Sequence, residues 1–509
     1  MPKPSWSGDV SRKIVRRIVV EGDLVLQTPA HFGNGDGDDL VDMPLLTDPF
    51  DDKMPLLTGA SIAGALRGYL HEREHGFRAR VDTHAGATKS ASVLLFGGNR
   101  GDTYGEQSPL IVEDAHGKYA AVELRDGVRL AGESRTAAHD KLFNIEMWEA
   151  GTTFPLRFEL IVRQRDDASA LKQALATALA GFNDGSITIG ARKRRGYGQV
   201  SVTDWHIKEY GLANIAQLLD WIENGATAVS VAASPDIVQA TGVGEMIADR
   251  RQAFRLKAEF LLDGSLLIRS GSGPDIEQVG ADDAEIQRPD TMHLHSRRPA
   301  SSPGGERKRR PVLSGTSLTG ALRARAFKIA RLIAPSTEAG EKATRELIDD
   351  MFGADMDTAE KPVGSRMHVY EHIVSGVENM SVQNRVSIDR FTGGTRDGAL
   401  FNEQPLFGGA QSLVTVDLQL ENPQEYEIGL LLLLLKDLWT GDLPLGGEIS
   451  IGRGRLRGRN CHLEHQNGQV QTWDLLANEA NSLSVTTGKS QDLEQYVARL
   501  HTYLGRSKL

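Results

Sequence analysis

The sequence predicts an α+β chain made of two tandem, decorated ferredoxin-like domains, and three observations carry that prediction. First, segments recur in order. Leu57-Thr-Gly-Ala-Ser-Ile-Ala-Gly-Ala-Leu-Arg67 returns as Leu313-Ser-Gly-Thr-Ser-Leu-Thr-Gly-Ala-Leu-Arg323, 256 residues on. Leu142-Phe143-Asn144 returns as Leu400-Phe401-Asn402, 258 on, and Ile187-Thr-Ile-Gly190-Ala-Arg192 pairs with Ile449-Ser-Ile-Gly452-Arg-Gly454, 262 on. Ordered matches with a slowly drifting offset mean two copies of one domain. Second, each copy reads β-α, a β-rich middle, then β-α-β, the order of a ferredoxin-like unit. Third, 509 residues with 40% apolar and 25% charged side chains have the length for two large domains or three ordinary ones, and the composition of a globular chain rather than a disordered one.

In the first copy, 14–26 is strand-like, dominated by Val15, Ile18, Val19, Val20, Leu24 and Val25. A turn-rich loop follows over 29–52. A helix then starts at Ser61 and runs through Ala65, Leu66, Tyr69 and Leu70. Residues 154–162 alternate as a strand, 168–182 carry helical period, and a glycine-rich loop leads into a last strand over 199–207. The second copy repeats this with strand 254–268, a helix from Ser317, strand 411–420, helix 426–438, a glycine loop and a strand. The expected organisation is a first domain over 1–211, a linker over 212–251 with one helix around 215–222, a second domain over 252–475, and a helical tail over 476–509 with its helix near 493–504.

Charge and cysteine content narrow the function. Cys461 is the only cysteine, so neither an intrachain disulfide nor a cysteine metal cluster can form. No apolar run approaches the roughly 20 residues of a membrane helix, and the first residues lack a signal-peptide core; a cytoplasmic protein without membrane contact is expected. A net charge of -10 does not exclude nucleic acid, because salt screens charge beyond about 10 Å and local clusters decide. Positive charge is clustered, in 192–195, in 307–310, and at Arg453, Arg455, Arg457 and Arg459.

Two motifs point to phosphate. Gly59-x-Ser61 and Gly315-x-Ser317 stand at helix starts, where unpaired N–H groups and the helix dipole favour anions. Arg67 and Arg323 follow six residues on and can add charge-assisted bonds. The plain alternative is a serine cap followed by a solvated arginine. Neither segment is a P-loop or a hydrolase elbow. The glycine loops Gly190-Ala-Arg-Lys-Arg-Arg-Gly196-Tyr-Gly198 and 446–458 interleave glycine with arginine, which suits close approach to a sugar–phosphate chain. Tyr197 is a candidate stacking platform; a solvated hairpin is the bland alternative. The acidic loop 31–44 fails the EF-hand pattern, with Asp39 at the turn glycine and Leu45 at the bidentate position. His293 and His295 lack a third ligand and read as surface or RNA-contacting residues rather than a zinc site.

Together these residues resemble the RAMP superfamily of CRISPR-associated proteins, and more closely the backbone subunit of type III effector complexes as a tandem fusion of the type III-D-like kind. The resemblance covers about 12–210 and 252–475. It rests on Thr28-Pro-x-His31-Phe-Gly33, Asp42-x-Pro44, Gly59 to Arg67, Leu95-Phe96-Gly97, Asp114 after a strand, Gly315 to Arg323, Met351-Phe352-Gly353 and the run 384–403. It implies a guide-RNA-binding subunit with CRISPR RNA, complementary target RNA and further type III subunits as partners, including the large polymerase-like one. Its implied RNA-binding set is His31, Gly59, Ser61, Arg67, Arg192, Lys193, Arg194, Arg195, Tyr197, Gly315, Ser317, Arg323, Arg385, Arg390, Phe401, Arg453, Arg455 and Arg457. Thumb-like hairpins at 125–144 and 385–403 would wedge into the guide–target duplex. An aspartate in the loop before the first helix would cut target RNA with a divalent metal, Mg²⁺ by expectation. Asp42 matches that position as catalyst and metal ligand. In the second copy the loop is rewritten, with a basic insertion through Arg310; Asp290 is the best match, with Asp282 and Asp283 as alternatives. The first thumb, 130–140, lacks the usual Asp-Arg-x-Thr. A scaffold that binds guide RNA without cutting it is the competing reading.

Overall fold

The computed structural model describes the chain except residues 1–12, 34, 36–42, 81–89, 99–106, 119–120, 131–136, 226–228, 230, 271–288, 300–306, 355–362, 379–380, 479–481 and 506–509. The fold is mixed α+β and holds two ferredoxin-like units. In the first, strand Ile14–Leu26 is central. It pairs antiparallel with Thr153–Arg163 on one side and with Val200–Val202 and His206–Gly211 on the other. Leu110–Val112 closes the edge against Thr153–Arg163. That is the ferredoxin order of fourth, first, third and second strand. The second unit repeats it: Ala253–Asp263 lies between Val414–Glu421 and Arg455–Asn467, with Met367–Val369 at the edge.

The central strands are buried because apolar residues alternate on the face that meets the helices. In Ala253–Asp263, Phe254, Leu256, Ala258, Phe260 and Leu262 all point inward. Helices Gly59–His75 and Ala168–Ala180 complete the first core, and Gly315–Ile333 and Glu425–Trp439 the second. Among these, Glu425–Trp439 carries the run Leu430 to Leu435, of which Leu433 alone lies at the core's edge and the others within it.

Three expectations change. The expected last strand of the first copy is two short strands separated at 203–205, where Trp205 turns into the core. The linker is not free: besides helix Ile215–Asn224, a short helix Ile237–Thr241 seats Ile237 in the first core, and Arg73 of the first copy binds Asp249 at 3.2 Å. The terminal helix is not a tail. Strands Gln469–Ala477 and Leu483–Thr487 extend the second sheet, and helix Ser490–Gly505 puts Leu493, Tyr496, Leu500 and Leu504 into the second core.

The copies are clasped by buried charge. Arg125, on the first copy's hairpin Val122–Leu130/Ala137–Trp148, forms a bidentate pair with Glu371 of the second copy at 3.0 and 3.1 Å. Arg298 adds a 2.6 Å bond to the same carboxylate, and Glu123 binds both Arg125 and the Ser296 hydroxyl. Nearby, Glu149 of the first copy forms ion pairs with Arg297 at 3.1 Å and Arg309 at 3.6 Å. The basic insertion of the second copy therefore spends Arg297 and Arg309 on the first copy's Glu149, and Arg298 on Glu371 of its own copy. Burial pushes the Glu371 carboxyl up, and Arg125 and Arg298 more than reverse this, holding it below the ordinary carboxylate range.

Glu371→Ala leaves Arg125 and Arg298 without their shared acceptor. Breaking a buried pair in this way costs about 3–5 kcal/mol, so urea unfolding of the variant should begin at markedly lower denaturant; an unchanged midpoint would rule out the clasp. Glu371 has a depressed folded pKa, so its stabilising effect is present above the ordinary carboxylate pKa and is lost as pH falls through the folded value.

Candidate nucleic-acid interface

The site grows from the loop after helix Ala168–Ala180. Gly190, Gly196 and Gly198 take positive φ, and Arg192 is itself left-handed at φ 53°. Between them Lys193–Arg195 makes a single 3-10 turn. The loop is pressed against the second copy. An ideal Cβ on Gly196 would lie 2.6 Å from Glu371 N, and one on Gly315 would lie 2.2 Å from Arg195 O. These two glycines serve a close approach of backbone to backbone between the copies, where the sequence suggested approach to a ligand.

The four basic residues of this loop divide sharply. Arg194 is an interdomain strut, donating to Glu421 Oε2 at 2.6 Å, with His368 on the same carboxylate at 2.8 Å. Burial raises the Glu421 carboxyl, and His368 and then Arg194 pull it down to about 2. Arg195 reaches Phe352 O at 3.4 Å with one amino group, while its Nη1 is buried without a hydrogen-bond partner. Burial first, and then Arg323 and Arg192, push the Arg195 guanidinium down to about 10. Arg192 and Lys193 are exposed, Arg192 lying 4.2 Å from the centre of the Phe143 ring. The junction thus sets Arg195 between Arg192 of its own loop and Arg323 of the second copy, with Lys193 exposed beside them in the chain.

The equivalent loop of the second copy is chemically different. Glu448 is left-handed at φ 58°, Ile449–Ile451 makes the 3-10 turn, and Gly452 and Gly454 have positive φ. The bonds Ile189 N to Gly198 O and Leu445 N to Gly454 O, both 2.9 Å, fix the correspondence at 256 residues, the offset of the helix starts. The 262-residue pairing read from the sequence was therefore out of register. Its Ile-x-Ile-Gly match compared the strand side of one loop with the turn of the other. In true register, Lys193-Arg194-Arg195 faces Ile449-Ser450-Ile451, and the two cradles are not equivalent.

Several expected ligand residues are structural. His31 is buried, its Nδ1 2.7 Å from Glu146 O. Tyr197 is buried with Ile145 and Met147, beneath Arg125, so it has no ring face for a base. Arg453, its counterpart, is buried between Glu403 and Glu448, each at 2.8 Å. His293 and His295 are buried rather than surface residues, and burial pushes His293 down to about 3. The helix starts are capped by Thr58 and Ser314, whose side chains accept from Ser61 N and Ser317 N. Gly59 N is already answered by Asp114 Oδ1 at 2.6 Å. The repeated arginines also have a local use. Arg67 donates to Gly97 O at 3.1 Å, and Arg323 to Gly353 O and to Asp349 at 2.7 Å. Gly97 and Gly353 each cap the next helix of their copy, so both arginines close a helix C-terminus.

The remaining candidates are more open. Arg455 and Arg457 project with Arg459 from the exposed face of Arg455–Asn467, Arg457 meeting Asp263 at 3.2 Å. The second hairpin, Gln383–Ile388/Thr395–Gln404, stands out with Arg390 exposed and Phe391 96% exposed. Asp389 closes its tip by accepting Phe391 N and Thr392 N, each at 2.9 Å. Phe401 is exposed near its foot, while Arg385 pairs there with Glu403 at 2.9 Å. Asp290 is exposed beside that foot. Asp42, Asp282 and Asp283 lie outside the described residues. Among the described residues, no group of three or more His, Cys, Asp or Glu side chains is arranged to hold a metal, and no helix is long and apolar enough to cross a membrane.

Sequence reasoning missed the clasp residues Glu123, Arg125, Glu149 and Glu371. The one available signal was an unexplained basic insertion in one copy. The family model of the RAMP superfamily matches this chain over residues 23–201 and 301–457, more than half its length. No curated protein matches it.

Gly196→Ala sets a Cβ against Glu371 N in a left-handed conformation. We expect it to loosen the junction, seen as faster protease cleavage between the copies and a fall in RNA affinity. Gly185→Ala, also at positive φ but with nothing within 4 Å, should leave the junction intact and so separates packing from backbone strain. The acid sensitivity of the Arg194–Glu421 contact follows from its sign: the depressed carboxyl stabilises above about 4.5 and loses its effect as pH falls toward 2. Glu421→Gln should flatten that part of the stability–pH curve.

Proposed function

The chain belongs to the RAMP superfamily, and from that premise we propose that it is the guide-RNA-binding backbone subunit of a type III CRISPR effector complex, two backbone-type domains fused in one chain. The single observation that carries the reading is the cationic cluster at the junction. A half-buried guanidinium whose enclosed amino group has no partner, beside like charges, is costly unless an anion answers it. A phosphodiester answers it with charge and acceptor oxygens together. Arg195 is the half-buried member, with its Nη1 enclosed, and Arg192 and Lys193 are the exposed ones. Contacts of this type hold backbone and carry no base code, which suits a protein that must accept any guide. Arg455, Arg457, Arg390 and Phe401 supply further exposed basic and aromatic surface on the second copy.

In this reading the subunit also cuts target RNA, through Asp42 and Asp290. The 2′-hydroxyl passes its proton to the aspartate carboxylate as its oxygen attacks phosphorus. The phosphorus–O5′ bond breaks, and the leaving oxygen takes a proton from water. Products are a cyclic 2′,3′-phosphate and a free 5′-hydroxyl. Orientation supplies much of the rate, because a displaced base frees the ribose to align its oxygen. A bound divalent ion such as Mg²⁺ would stabilise charge at the phosphate. The donor set fits such an ion in part: Asp290 is an exposed carboxylate with one oxygen engaged by Asn402 N. The chain's own residues hold the strand and place the carboxylate. A scaffold that binds guide and partner subunits without cutting is favoured by that same hydrogen bond, since it gives Asp290 a structural use.

With the assembled complex, complementary RNA and Mg²⁺, Asp42→Ala and Asp290→Ala should each erase one cut while guide binding persists. Persistence of every cut in both variants selects the scaffold reading. Arg192→Ala with Lys193→Ala should weaken guide RNA binding and reduce the salt slope by about 0.7 per charge removed. An unchanged slope would remove the junction from the RNA path.

A further inference from the structure

Resting on the cleavage reading above, we propose that Asn402 is the positioning residue for Asp290, so that the second hairpin sets the place of the carboxylate at its own foot. The two residues hold each other reciprocally. Asp290 N donates to the Asn402 side-chain oxygen at 2.7 Å, and Asn402 N donates to Asp290 Oδ2 at 2.9 Å. One bond fixes the backbone of the loop and the other fixes the carboxylate.

Register explains why they meet. Thr291 and Met292 pair in parallel with Glu403 and Gln404, so the loop joins the hairpin strand as an extra strand, and the preceding residues, 290 and 402, fall side by side. The first copy uses the same device: Met43 bridges Ile145 in parallel. The sequence places an aspartate before Met43 and before Thr291, and an asparagine before Ile145 and before Glu403. In the second hairpin the Asn of the repeated Phe-Asn thus has a use beyond its place in the strand.

The foot that carries Asn402 is itself rigid. Glu403, the next residue, is buried between Arg453 at 2.8 Å and Arg385 at 2.9 Å, and Arg453 reaches Gln383 across the hairpin at 3.0 Å. A carboxylate tied to a braced strand keeps its orientation when the hairpin's exposed tip engages RNA. Misplacement of a reacting group by about 1 Å costs on the order of 100-fold in rate. A side chain that touches no substrate can therefore control the cut.

The test uses the assembled complex, a labelled complementary RNA and Mg²⁺ under single-turnover conditions, with each cut mapped. Asn402→Ala should slow the Asp290-dependent cut by about 10- to 100-fold, leaving the other cuts and the affinity for target RNA unchanged. Asn402→Asp restores an oxygen acceptor for Asp290 N and sets a second carboxylate beside Asp290. It should recover rate at high pH, with the acidic limb of that cut's pH profile moved to higher pH. A general loss of folding would slow every cut alike and would not move one pH limb. If Asp290→Ala erases its cut while Asn402→Ala cuts at the wild-type rate, the positioning role is overturned and the cleavage reading stands. If Asp290→Ala changes no cut, the cleavage role of Asp290 falls and takes the positioning role with it.

Discussion

Glu371 is the residue on which the arrangement of the two copies turns. Its carboxylate is buried and receives two guanidinium groups, Arg125 from one copy and Arg298 from the other. Taking such charges out of water is expensive, and the geometry must be good to offset it. The bidentate bond supplies direction as well as attraction. With it in place, Gly196 and Gly315 bring the two backbones into contact, and Arg194 finds Glu421. The cluster of Arg192, Lys193, Arg195 and Arg323 is a consequence of that docking and belongs to neither copy alone.

Duplication has produced likeness of backbone and divergence of chemistry. Both glycine loops use a left-handed residue, a 3-10 turn and three glycines at positive φ. The side chains on that common frame differ because their neighbours differ. In the first copy the loop meets another domain of the same chain, and charge is used there. Ile449-Ser450-Ile451 occupies the same frame in the second copy, with Ile451 exposed. Buried counterparts diverge together as well. Tyr197 with Ile145 becomes Arg453 with Glu403, an apolar pair replaced by an ionic one at the same depth.

The hairpins link this frame to chemistry. Each is stiff at its foot, by Arg125 in one copy and by Arg453 and Arg385 in the other. The second extends an exposed tip away from the core, with Phe391 and Ile388 in solvent beside Arg390. Exposed aromatic and aliphatic side chains on a projecting element favour an apolar or stacking partner. A loop strand that adds to the hairpin in parallel ties the foot to the segment bearing Asp290.

The sequence by itself determined the duplication, the α+β class, the central strand of each copy and the helix that follows it. These rest on local periodicity and on recurrence, which a linear reading can see. The helix was placed from Ser61, whereas the cap is Thr58, because capping depends on which hydroxyl faces the free N–H groups. The sequence also marked Arg67, Arg323, Tyr197 and Arg453 as ligand residues. Only the tertiary structure assigned them to helix ends and buried clusters, since an arginine next to glycine reads the same whether its partner is a phosphate, a carbonyl or a distant glutamate. The clasp lay beyond linear reading for the same reason: Arg125 and Glu371 are 246 residues apart, and no local pattern encodes a pair that exists only once two separately folded cores have docked.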